Sequence, residues 1–461
     1  MNKLIKSIIA TIALTGVLPV SAQYTATGYF NDGYLYRHEM NPAISNDQSY
    51  VAMPAISNIN VAMRGNLGVR DVLFNRNGKT TTFLNPNVSA DEFLSNINDK
   101  NKIGADVKIQ LLGVGFKGFN GYNHIGINVR TNVSTLIPGS LFRLAKEGVE
   151  NKTYDISDFK AHADAYSEIT LGHSHKINDH LDVGATLKII LGGANIDADF
   201  KKAQLSLQED QWLAVTDAEI QASVKGLKYK EETKMRGPEG NQTPHTYVND
   251  LDVKNSGLNG FGLGLDLGAV YTLNDSWRFS AALLDLGFIS WNNNMVASTD
   301  GEKTFTTNTY LFNVDDDANN SFDNEMDRLE EGLAKLYELQ NKGDKGSRTT
   351  GLAATMNLGA EYTLPSYKDL SFGLLNTTRI HGKYSWTDFP LSANWHTGKL
   401  FSATANFAVG TYGASFGWML NLHPNGFNLF LGSDHTLGKL AKQGVPLSGN
   451  AQVNVGINFP L

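Results

Sequence analysis

The chain has 461 residues, of which 41% are hydrophobic and 18% charged, with 45 Gly, no Cys and a formal net charge of −7. The low charged share and the 10% aromatic content exclude a disordered polymer, and an acidic balance without any Lys/Arg block excludes a general nucleic-acid binder. The absence of cysteine removes disulfides, thiolate metal sites and cysteine nucleophiles, and beyond the N-terminus no apolar stretch of about 18 residues offers a membrane helix.

Lys3 and Lys6 precede an apolar run from Ile8 to Val20, and Val20-Ser21-Ala22 follows with small residues at the cleavage positions. Residues 1–22 are therefore expected to be a secretory signal peptide cut before Gln23. Gly16 and Pro19 disfavour a buried helix there. Residues 23–55 form an N-terminal segment, and 56–461 carry a different pattern.

That pattern has period two. Ile59, Val61, Met63, Leu67 and Val69 alternate with Asn60, Arg64 and Asn66, and Ala105, Val107, Ile109 and Leu111 with Asp106, Lys108 and Gln110. Asn120-Gly121, a turn signal whose residues tolerate positive φ, leads into Ile125, Ile127, Val129, Thr131 and Val133. The same beat returns over residues 181–191, 261–271, 352–362 and 453–459. Each run is about nine to fifteen residues, long enough to cross a bilayer at a tilt.

Short turns at Asn120-Gly121, 176–180, 273–276, 365–369, 397–399 and 423–426 alternate with long connections near 71–103, 137–159, 200–257, 292–349, 378–389 and 435–449, plus a tight turn at Gly410. A soluble sandwich shares the alternation, but short links on one side and long ones on the other is the plan of an outer-membrane barrel. The expected fold is all-β, a closed antiparallel transmembrane β-barrel of about 14 strands with short helices in loops or lumen. Both chain ends would lie on the periplasmic side. Three helices interrupt the rhythm: one opened by the Ser89/Glu92 capping box, one over Gly139 to Gly148, and one between Phe322 and Gln340. In the last, Phe322, Met326, Leu329, Leu333, Leu336 and Tyr337 share a face suited to packing across the barrel mouth, into the lumen, or on the outer rim.

Asn41-Pro42-Ala43 is similar to an element found early in long-chain fatty-acid-transporter barrels and in type IX secretion-associated barrels of Bacteroidota. Residues 166–172 and 182–188 resemble a strand-turn-strand pair of those families. ALLDLGFISWN (281–291) and GFNLFLGSD (426–434) look closer to a Bacteroidota outer-membrane barrel family of unknown function. The resemblance implies a barrel of about fourteen strands with an N-terminal segment that plugs the lumen, Asn41, Pro42 and Ala43 being the plug motif.

Charged strand positions Lys108, Arg130, Glu168, Lys188, Asp266 and Glu361 are expected to face the lumen, because a charge on the lipid face costs about 2–4 kcal/mol at the midplane. Their mixed signs fit a lumen of mutually paired charges better than a single-sign selectivity ring. Asp315, Asp317 and Asn319 alternate like a calcium loop, but Asn320 and Met326 stand where Gly and a bidentate Glu belong. His173, His175 and His180 lack a further ligand at diagnostic spacing. Neither a Gly-x-Ser-x-Gly elbow nor a His-Glu-x-x-His motif occurs, so no enzyme, metal or cofactor is expected. Tyr122, Tyr271, Trp277, Trp291, Tyr362 and Trp395 suit interfacial girdles. The functional expectation is passive transport of a small or hydrophobic molecule across the outer membrane. The alternative is a non-conducting scaffold for a secretion or cell-surface complex, with outer-membrane lipid and envelope proteins as partners and no nucleic acid.

Overall fold

The computed structural model describes residues 25–148, 150–310, 321–398, 400–435 and 449–461. Fourteen antiparallel strands close a barrel. The first, β1, comes in two pieces, Tyr50–Ala52 and Ile59–Gly65. Then follow β2 (Lys100–Gly118), β3 (Gly121–Pro138), β4 (Lys160–Lys176), β5 (Leu181–Leu207), β6 (Gly260–Thr272) and β7 (Trp277–Trp291). The second half is β8 (Ala354–Thr363), β9 (Leu370–Ile380), β10 (Trp386–Thr397), β11 (Phe401–Gly410), β12 (Gly413–Leu422), β13 (Asn428–Ser433) and β14 (Ala451–Pro460). Closure is made by β1 lying between β14 and β2, with Ile59 opposite Val455 on one side and Ile109 on the other.

The alternation inverts that of a soluble core. On β6 the exposed residues are Phe261, Leu263, Leu265 and Leu267, while Asp266 is buried. On β11 Phe407 and Val409 are exposed, while Ser402, Thr404 and Asn406 are buried. A wall built this way needs an apolar medium outside and polar partners inside. At the short-link end Trp277 packs at 4.9 Å from Tyr362, and Trp395 Nε1 donates to the Tyr367 hydroxyl at 3.0 Å. Two of the expected girdle aromatics lie elsewhere. Tyr122 faces inward, its hydroxyl donating to Gln48 O, and Trp291 is fully buried against Ile190 and Ile289, its Nε1 donating to Thr350. Strand parity, which composition does not reveal, decides this.

The β2–β3 turn sits one residue earlier than the sequence suggests. Phe119 (φ 54°) and Asn120 (φ 57°) form the two-residue link, and Gly118 pairs with Gly121. Gly121 is needed for another reason: a Cβ there would stand 2.0 Å from Ser174 O on β4.

At the long-link end β5 runs on for 27 residues, far beyond the roughly 9–11 that cross a bilayer. Its overhang pairs with strands Trp212–Val224 and Lys152–Asp155, and Trp212–Val224 pairs in turn with Asn294–Ser298 and Lys303–Thr306. A hairpin, Leu227–Arg236 with Thr243–Val253, covers this sheet through a second apolar cluster that includes Ile220, Tyr229, Val248 and Leu339. The helices lie outside the barrel: Ala90–Leu94, capped by Ser89 Oγ accepting from Glu92 N, Gly139–Glu147, and Phe322–Lys335. The last presents the reverse of its expected face. Glu325 and Glu338, just past its end, are buried, whereas Met326 and Leu333 are exposed. Arg236 and His245 of the hairpin meet this side of the segment, Arg236 pairing with Glu338 and Glu330 at 2.7 and 2.6 Å and His245 lying 3.4 Å from Glu331, while Glu325 pairs with Arg328 of the helix itself.

Candidate functional site

Residues 25–48 lie against the inner faces of strands all round the barrel. Thr27 Oγ1 donates to Asp434 and accepts from Asn406 Nδ2 on β11. Asn31 accepts from Ser402 Oγ, and its Nδ2 donates to Thr404. The Tyr36 hydroxyl stands 2.6 Å from both Gln110 Oε1 on β2 and Asn458 Oδ1 on β14. Tyr29, Phe30, Tyr34, Tyr36 and Met40 form an apolar cluster with Tyr50, Leu375, Met419 and Phe430 from the wall. Aromatic rings thus fill the space, while short Asn, Ser and Thr side chains serve the segment's polar groups.

Asn41-Pro42-Ala43 forms a tight turn. Asn41 Oδ1 accepts from Ala43 N at 3.0 Å, and Ile44 N donates to Asn41 O at 3.0 Å, with Pro42 supplying the fixed φ. Asn41 Nδ2 reaches the Tyr29 hydroxyl and the carbonyls of Ala269 and Ala281. Two wall glycines make room, since a Cβ on Gly184 would stand 2.1 Å from Pro42 O and one on Gly268 2.1 Å from Asn41 Oδ1.

Five of the six charged strand positions come together beside this turn. Arg130 binds Glu168 at 3.2 Å and Asp285 at 2.9 Å. Lys188 binds Asp266 at 2.8 Å and Asp285 at 2.5 Å, and Lys108 binds Glu39 of the N-terminal segment at 2.6 Å. All are nearly fully buried. Lys108, Glu168, Lys188, Asp266 and Glu39, with His38 and His124, whose tilted rings lie 4.2 Å apart, line a cavity of about 10 Å³, about the room of one water. Glu361 lies apart, accepting from Arg278 Nη2 at 2.5 Å and Ser371 Oγ at 2.8 Å. Arg278 in turn approaches Asp32 of the segment at 3.6 Å.

Asp285 is the member that alternation misses. Leu283 and Leu286 both face outward, so an extra residue must be absorbed between them. A bulge opposite Leu265/Leu267 does this, turning Asp285 inward at φ 56°, where its backbone N donates to Asp266 Oδ1. The signal available in the sequence was the broken parity of Leu283-Leu284-Asp285-Leu286.

Among the described residues no three His, Asp or Glu side chains are arranged to hold a metal. His173 and His175 stack 5.9 Å apart, with His173 Nδ1 against Asn123 Oδ1. Asp315, Asp317 and Asn319 lie outside the described residues.

No curated protein matches the chain. Similar solved structures include the Ralstonia pickettii toluene transporter TbuX (10% identity, 96% of each chain, TM-score 0.41) and the Pseudomonas putida toluene transporter TodX (8%, 95% of each chain, 0.37). A Pseudomonas aeruginosa FadL homologue is also similar (11% identity, 96% of this chain and 98% of that one, TM-score 0.36). These are loose likenesses of shape and carry no substrate over to this chain. The profile of a family of unknown function, DUF5723, matches residues 42–434, from the tight turn to the end of β13, and the chain belongs to that family.

Proposed function

We propose that this chain is exported by the signal at residues 1–22, sits in the outer membrane, and passes a small solute passively once its N-terminal segment moves. In this reading residues 23–55 are a lumen plug and Asn41-Pro42-Ala43 is the turn that seats it. The observation that carries the reading is the manner of filling: aromatic side chains and a single buried ion pair to the wall, Glu39–Lys108, among the described residues. The wall beneath the segment is lined by Asn, Ser, Thr and Gln, which favours a polar solute over a hydrophobic one.

The test is conductance and solute uptake after reconstitution, comparing the intact chain with one lacking residues 25–48. Deletion should convert a mostly silent protein into a steadily conducting one, and equal permeability of the two would refute the reading. Because the chain has no cysteine, a Thr27→Cys/Asn406→Cys pair offers a control that keeps the segment. The side chains replaced are in contact at 2.6 Å, and oxidation should lock the barrel shut reversibly.

A second reading, a scaffold for a secretion or surface complex of the kind known in Bacteroidota, is favoured by the overhang with its own apolar cluster and by the exposed face of helix Phe322–Lys335. Stoichiometric co-purification of an envelope protein, lost when residues 227–253 are deleted, would support it.

A further inference from the structure

Above the N-terminal segment the lumen is crossed by the β9–β10 link. Lys383 on this link pairs with Asp158, Lys102 Nζ donates to Ser385 O at 3.4 Å, and the His381 ring lies 5.1 Å from that of His162. Between link and segment lie two small neighbouring cavities that share Arg64, Asp106 and Trp386: one of about 20 Å³ that Arg379 and Asn132 also border, and one of about 30 Å³ that Thr355 and Asn357 border.

The charges here are unevenly served. Arg64 reaches Asp388 at 3.0 Å and Asp434 at 3.5 Å, and its guanidinium lies 4.0 Å over the Trp386 ring. Asp106 takes the Asn132 amide. Arg379 is 5% exposed, and its nearest acid among the described residues is Asp106 at 3.6 Å, beyond hydrogen-bond length. Its Nη1 is buried without a partner, as are Thr355 Oγ1, on the residue paired with it across the sheet, and Asn357 Oδ1 two positions on. A buried guanidinium with Nη1 unserved and only a distant acid beside Nη2 is costly, and a planar carboxylate is the group that matches it.

We propose that the space around Arg379, between the N-terminal segment and the β9–β10 link, is a binding site for a small carboxylate-bearing solute. Arg379 holds the carboxylate through Nη1, and the Thr355 hydroxyl, on the residue paired with it across the sheet, donates to the same group. The site deepens the passage reading and rests on it, since a solute reaches Arg379 only through a lumen that opens. The size of the cavities limits the bound group to something near acetate.

The experiment is saturation-transfer NMR of acetate with the full chain in detergent, with acetamide as the uncharged isostere. Acetate should bind saturably and acetamide should not. Arg379→Gln should weaken acetate by about ten-fold or more, and Arg379→Lys by less. Asp106→Asn removes the competing carboxylate and should tighten acetate several-fold, which keeps the proposal testable if Arg379→Gln does not fold. Equal binding of acetate and acetamide, or acetate binding unchanged in Arg379→Gln or Asp106→Asn, overturns the site. So does the absence of acetate binding to both the intact chain and Glu39→Gln, in which the segment is loosened. Acetate flux that persists without Arg379-dependent binding sinks the site and leaves the passage reading standing. Arg379-dependent binding without flux upholds the site and sinks the passage.

Discussion

Replacing Glu39 by Gln tests whether the N-terminal segment is held by the chemistry that the structure gives it. Glu39 Oε1 stands 2.6 Å from Lys108 Nζ, with side-chain exposures of 10% and 3%, and its Oε2 accepts from Asn58 Nδ2 at 3.0 Å. Removing one partner of a buried ion pair costs about 3–5 kcal/mol, because the survivor is left in a poor medium. Gln keeps the volume and the Asn58 contact, and Lys108 has further company, so the lower end applies, about 3 kcal/mol. At 1.4 kcal/mol per decade that moves the balance between seated and unseated segment about a hundred-fold. The assay is single-channel recording of the reconstituted chain, with open probability as the readout. Glu39→Gln should open about a hundred times more often, and Glu39→Gln/Lys108→Met should return most of the way because no charge is then orphaned. An open probability for Glu39→Gln within about threefold of the parent, less than 1 kcal/mol, would refute the reasoning.

Gly184→Val should unseat the same segment by crowding, since the new Cβ would meet Pro42 O at 2.1 Å; an overpacking cost of about 1–3 kcal/mol predicts faster protease cleavage within residues 25–48 while the barrel still resists heat. Leu374→Lys puts a charge on the apolar outer face, where Leu374 is 51% exposed, and should lower refolding stability in lipid vesicles by about 2–4 kcal/mol; an unchanged urea midpoint would argue against a lipid-facing wall. Burial brings His38 down to about 4, against the pull of nearby Glu39, whereas an unseated segment titrates near the ordinary 6.5. The unseated state therefore binds more protons between pH 6.5 and 4, so seating weakens as pH falls through that window, by about 3 kcal/mol at its lower end, and is flat above it. Open probability should climb on acidification below 6.5, and His38→Gln should abolish the climb.

The barrel was legible because alternation and turn chemistry are local properties. The Ser89/Glu92 cap and the six short links needed nothing beyond neighbours in sequence. What stayed hidden depended on partners far along the chain. The bulge that turns Asp285 inward requires knowing that Leu283 and Leu286 share the outer face. Trp212–Val224 slips register between Asp217 and Ala218, which blurs its period, so the overhang read as loop. The helix at Phe322–Lys335 meets the hairpin through Glu330 and Glu331, which face Arg236 and His245 some ninety positions away. The lumen residues that grip the segment are Asn, Ser and Thr, types equally at home in any turn, so Thr27, Asn31 and Tyr36 carried no signal of their own.

Most of the N-terminal segment's hydrogen bonds to the wall run to the second half of the chain. Thr27 meets Asn406 and Asp434, Asn31 meets Ser402 and Thr404, Gly33 O accepts from Asn428 Nδ2, and Tyr36 meets Asn458. These residues therefore wait for partners synthesised much later, across separations near 370–420 positions. Loop closure over such distances is slow. Until it occurs, the polar inner faces of β11 to β14 have no counterpart but water. A segment bound in this way would act as a mandrel on which these strands settle. A chain lacking it should assemble more slowly, through a longer-lived unsealed intermediate, even where the finished wall is the same.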